Sequence, residues 1–358
     1  MEAEFPTYRI DRDYTWNYQH APDPVMICMP PFPGEWTFLG RPVGSPLGIP
    51  AGPLLNGRWI AYYASLGFDI LTYKTVRSRA HPCYDPPNLV PVQTGQLTGR
   101  EESLEAAPQM KGSWAVSFGM PSAAPDVWRS DVEATRGKLE NNQVLVVSVV
   151  GTVEPGATLD DLAADYAQCA RWAVESGADA VEANLSCPNV ESRDGQLYRE
   201  PEAAARVAAA IRQSIGSTSL ILKVGHLPDL PAIDALLRAV APSADAISMT
   251  NSVAARVRRA DGTLLFDGAR RGICGDATRA ASLEQTRKCS SRIKQLGLDL
   301  KLIGVGGIST AEHVREYLEA GAESVQIATA AMVDPAVAWS IRWEFAGNRR
   351  DDGGRSFE

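Results

Sequence analysis

Two lysines and a cysteine sit where apolar, strand-like runs give out: Lys74 closes DILTYK, Lys223 interrupts LILKVG, and Cys187 follows EANLS. A charged group inside such a run is costly unless it is paired or faces a site. The two lysines are therefore expected to converge on a ligand. Asn184, Asn189 and Asn251 stand at comparable strand ends, and each amide offers both a donor and an acceptor, which suits the amide edge of a planar ring. Cys187 lies in NLSCPNV, pinned by Pro188. It could act as nucleophile, metal ligand or proton acceptor. No His or carboxylate is spaced to complete a metal set with it. The four histidines (20, 81, 226, 313) form no recognisable pairing with it of the kind acyl transfer requires. General-base chemistry is left.

A second signal is GVGGIST, Gly304 to Thr310, followed one unit later by Thr329 in IATAAM. Glycines let backbone N–H groups approach an anion, and a helix start adds its positive dipole end. Together these two strand ends read as a phosphate cradle. Of the six cysteines, the others are packing residues by this reading, except Cys274 in the glycine-rich RGICGDA.

Such residues need a scaffold that brings strand ends together. Eight short apolar runs, most of them closed by Gly, Asn or Ser, predict strands over Pro46–Ala51, Asp69–Lys74, Val144–Gly151, Ala180–Leu185, Leu220–Val224, Ala246–Thr250, Lys301–Val305 and Ser324–Ala328. Helix-period segments lie between them. The clearest covers Leu159–Ser176, with Thr158 as N-cap, Asp161 at the third position and Gly177 as terminator. Eight βα units point to a TIM (β/α)8 barrel, whose sites lie at the carboxyl-terminal face; an open doubly wound sheet is the rival. Two long connections, 76–125 and 252–280, are candidate lids and walls on that face. Residues 1–40 read as an amino-terminal arm, 41–348 as the barrel and 349–358 as a polar tail.

Composition narrows the partners. The chain has 358 residues, 45% hydrophobic, with a formal charge of −8 and scattered arginines, so it carries no electrostatic footprint for nucleic acid or an anionic membrane. No run is long enough to span a bilayer, residues 1–34 show no basic stretch followed by an apolar one, and C-x-x-C pairs are absent, from which a cytoplasmic protein with reduced thiols and a small-molecule substrate is expected.

With these residues in view, the chain resembles the dihydroorotate dehydrogenase family, in particular its cysteine-type first class. The markers run in order from about Gly48 to Met332: GIPAGPLLNG, LTYKTV, SFGMPS, NLSCPNV, ILKVG, TNSVA, GICG and GVGGI. The resemblance implies an FMN-containing TIM barrel, homodimeric by family habit, that oxidises the C5–C6 bond of a dihydropyrimidine. It implies that Cys187 removes the C5 proton while a hydride passes to the flavin, and that Lys223 stabilises the reduced flavin anion. Ala51, Gly52, Lys74, Thr75, Lys223, Asn251, Gly275, Gly306, Gly307, Ala328 and Thr329 would hold FMN. Lys74, Ser122, Asn184, Asn189, Asn251 and Ser252 would hold substrate.

Departures from the pattern bear on substrate. Ser122 stands where the family commonly has a substrate-binding asparagine, the lid reads RSRAHPCYDPPNL, Cys274 replaces a small residue, and Ala328 replaces a phosphate-site glycine. Ser122 and the altered lid motivate one alternative, a relative repurposed for another cyclic amide; a second, from a different class, is a flavin-free phosphate-binding barrel isomerase or aldolase. A catalytically silent flavin-binding protein is disfavoured by intact Lys74, Cys187 and Lys223.

Overall fold

A computed structural model describes residues 5–347 apart from 153, 155 and 187–192. Eight strands lie where the apolar runs predict them: β1 (Leu47–Ile49), β2 (Ile70–Val76), β3 (Val144–Val149), β4 (Ala180–Asn184), β5 (Ser219–Lys223), β6 (Ala246–Met249), β7 (Lys301–Val305) and β8 (Ser324–Gln326). All neighbours pair in parallel, in chain order, and β8 returns to β1 to close the barrel. Closure answers the fold question in favour of the TIM barrel. The strands are buried along nearly their whole length because helices cover them outside and side chains fill the inside.

The helix after β3 illustrates how local sequence fixes an element. It spans Leu159–Glu175, and Thr158 and Asp161 form a reciprocal capping box at its start. Leu162, Tyr166 and Ala170 are buried on one face. Gly177, at φ 95°, turns the chain into β4.

Inside the barrel two layers follow from strand periodicity. Val144, Val146, Ala180, Ile221, Ala246 and Ile303 form an apolar floor, stopped from below by Phe38 and Val43 of a hairpin (Trp36–Phe38 and Arg41–Val43). One step higher the inward positions become polar: Thr72, Ser148, Glu182, Ser248 and Gln326 are all fully or almost fully buried. Gln326 crosses this layer, donating to Thr72 Oγ1 at 3.1 Å and accepting from Ser248 at 3.4 Å. Such a layer beneath a barrel mouth prepares a polar site.

The two long connections are more than lids. Segments Leu89–Gln93, Ser103–Ala106 and Ser113–Val116 from the first join Val253–Arg258 and Arg271–Gly275 from the second in a small closed five-stranded barrel. It has its own apolar core, built on Val90, Val92, Ala115, Val257 and Ile273. The amino-terminal arm packs against its near end, where Tyr8 and Tyr14 meet the Phe118 ring edge-on at 6.1 and 6.0 Å. Among the described residues no helix is long and apolar enough to cross a membrane.

Candidate active site

Strand ends and the small barrel enclose a cavity of about 400 Å³, well within the size of small-molecule sites. Lys74 and Lys223 reach its floor from β2 and β5, and both are buried. Lys223 pairs in register with Asn184 on one side and Ser248 on the other, which sets its height at the barrel mouth. Asn184, Asn251 and Ser252 line the same cavity.

At one end β7 hands over to a turn in which Gly306 and Gly307 have φ of 134° and 67°. A Cβ on Gly307 would lie 2.5 Å from Arg279 Cβ, so the turn admits only glycine there. Ser309, Ala328 and Thr329 line the cavity beside it, bringing the exits of β7 and β8 to one place. Ala51, Gly52, Thr75 and Gly275 complete the set expected to hold a cofactor.

The asparagines have a further task. Asn184 Oδ1 accepts from the Ser186 N–H at 3.1 Å, and the Asn251 amide donates to the Ser186 carbonyl. Both side chains therefore clamp the exit of β4. Cys187 and Asn189, the residues next in line, lie outside the described residues. Leu185 N–H donates to Lys223 O at 3.0 Å, which ties that exit to the neighbouring strand as well.

Ser122 stands apart from the cavity lining. Its hydroxyl accepts from the Arg77 N–H at 3.0 Å and donates to the Ala123 carbonyl at 2.9 Å, while its backbone pairs with His81. It pins the lid to the end of β2. What faces the cavity from that turn is Met120, joined by Phe118, Val116, Trp114 and Leu89 as a continuous apolar wall. Trp114, Val116 and Phe118 alternate with Ala115 and Ser117, a period-two pattern that announces one face of a strand.

Cys274 also lines the cavity, 3.8 Å from the Asn251 carbonyl. Burial pushes its thiol up to about 11, with the Lys223 ammonium pulling in the opposite direction. It is a neutral group at neutral pH. Among the described residues no three His, Cys, Asp or Glu side chains are grouped to hold a metal.

Comparison with known proteins agrees with this geometry. The family described as dihydroorotate dehydrogenase matches residues 35–346. The chain belongs to that family. It is 33% identical over 323 residues to the dihydroorotate dehydrogenase of Dictyostelium discoideum, covering 86% of each chain. It is 28% identical over 309 residues to the catalytic subunit of dihydroorotate dehydrogenase B (NAD(+)) of Desulforudis audaxviator, covering 84% of this chain and 88% of that one. The corresponding subunit of Maridesulfovibrio salexigens is 30% identical over 175 residues, 48% of this chain and 54% of its own. As a dihydroorotate dehydrogenase family member the protein is an oxidoreductase acting on a CH–CH bond.

Proposed function

We propose that the protein binds FMN in this cavity and oxidises the C5–C6 bond of dihydroorotate. The observation that carries the reading is the coincidence, in one cavity of a family member, of two buried lysines with a glycine turn that shares its end with Thr329. These residues fit the group. The backbone of Gly306 and Gly307 and the Thr329 hydroxyl suit a phosphate, the lysines suit an electron-rich ring edge, and the apolar wall suits a flat ring face. When bound, the flavin supplies the acceptor for the hydride that leaves C6.

The protein's residues do the rest. A C–H beside a carbonyl is acidified yet still needs a positioned base, and Cys187 takes that C5 proton in this reading. The clamp of Asn184 and Asn251 on Ser186 fixes where the segment bearing Cys187 begins. Lys74 offers its ammonium to the substrate carboxylate. Asn251 and Ser252 address the ring amides, and the small barrel excludes water from one side.

The test has two parts. Heat-released cofactor should chromatograph as FMN, one per chain. Cys187→Ala should stay yellow while flavin reduction slows by about two to four orders of magnitude, the usual worth of a general base. FAD or no flavin in the supernatant, or unimpaired reduction in the alanine variant, would refute the corresponding part. The apolar wall of Val116, Phe118 and Met120 favours a second reading, a cyclic amide bearing an apolar substituent. Faster reduction by such a compound than by dihydroorotate would select it.

A further inference from the structure

Glu182 lies in the middle of β4 between Ala180, part of the apolar floor, and Asn184, part of the cavity lining. It is fully buried, and neither carboxylate oxygen has a hydrogen-bond partner among the described residues. Its ion-pair partner among the described residues is Lys223, with Nζ 3.8 Å from Oε1. A buried carboxylate held by one distant cation, with no hydrogen bond among the described residues, is a poor source of stability, and an apolar pair in place of both charges is often no less stable. Its neighbours do not need it. Gln326, Thr72 and Ser248 satisfy one another, and Ser148 pairs with Thr75 at 3.0 Å. What the carboxylate does address is the ammonium that reaches the cavity floor.

We propose that Glu182 is a positioning residue for Lys223: it holds the ammonium at the base of the cavity and offsets part of the positive charge presented to a bound ring. A lysine side chain has a long flexible stem and a compact charge, so an anchor beneath it restricts where that charge sits. The same anchor opposes any gain of negative charge in the cavity. Glu182 would thus set how strongly the site favours the reduced, anionic state of the cofactor over the oxidised, neutral one. This inference rests on the flavin reading above and names a residue which that reading does not use.

The experiment is the midpoint potential of the bound flavin at one pH in wild type, Glu182→Gln and Glu182→Asp. Gln keeps the size and an acceptor oxygen but removes the charge; Asp keeps the charge. Glu182→Gln should raise the equilibrium constant for two-electron reduction about tenfold or more, a rise of about 30 mV or more, while Glu182→Asp stays within about threefold of wild type. Where the Gln variant does not fold, Glu182→Met, which fills the layer without charge, carries the same expectation. An unchanged or lowered potential in the uncharged variant overturns the proposal. Wild-type protein that binds no flavin would end the flavin reading and this inference together, whereas a yellow wild type with an unmoved uncharged variant ends this inference alone.

Discussion

Breaking the Glu182–Lys223 pair should cost more than removing it. At 3.8 Å the two charges attract by about 4 kcal/mol at an effective dielectric constant of about 20. Lys223→Met leaves the Glu182 carboxylate fully buried with no ion-pair partner among the described residues, and a stranded buried charge typically destabilises by about 3–5 kcal/mol. Glu182→Leu strands the ammonium in the same way. In the double variant both charges are gone, and a well-packed apolar pair is often neutral or stabilising. Urea unfolding of the flavin-free proteins measures this without any contribution from ring contacts. With a slope of about 3 kcal/mol/M, each single variant should lose about 1 M or more in midpoint, and the double variant should recover most of that loss. A double variant that loses the sum of the two single losses would mean that the charges do not feel one another, and the account of the cavity floor would be wrong.

Other predictions concern the lid and the second thiol. Ser122→Ala removes a hydroxyl that serves the backbone of Arg77 and Ala123, so it should lower stability by about 0.5–1.5 kcal/mol and leave the dihydroorotate KM within about twofold; a large KM increase with unchanged stability would restore Ser122 as a substrate contact. Cys274, with its thiol pushed up to about 11, should be only about one part in ten thousand thiolate at pH 7, against a few per cent for an ordinary thiol. Mass-spectrometric mapping after brief iodoacetamide treatment should find exposed Cys28 alkylated at pH 7, with Cys274 modified only as the pH approaches 10–11. Rapid alkylation of Cys274 at pH 7 would refute that environment.

Much of the barrel was legible because its physics is local. Most strands are short apolar runs with a breaker close behind, and the Thr158–Asp161 capping box marks a helix start within four residues. Lys74 and Lys223 were legible for the opposite reason, as charges that an apolar run tolerates only with a purpose. Glu182 obeys the same rule in AVEANL, and the signal for it was equally present. The small barrel was hidden because it joins segments about 150 residues apart, with Val253–Arg258 pairing in parallel beside Ser103–Ala106. Lid and wall were the reading of each segment alone; their pairing is a tertiary fact. Ser122 was placed by its position after a turn, yet the direction of its hydroxyl is set by the Arg77 backbone, which no spacing reveals. The apolar wall was announced by alternation at Trp114, Val116 and Phe118, but alternation does not say what the outward face will meet.

Whether this cavity oxidises dihydroorotate through a bound flavin is decided by anaerobic addition of dihydroorotate to the purified yellow protein, followed by its visible absorbance. The expected result is loss of the flavin's visible absorbance with one orotate formed per flavin, and near-absence of this bleaching in Cys187→Ala. A yellow protein whose spectrum is unmoved by saturating dihydroorotate, yet bleaches with a chemical reductant, would contradict it.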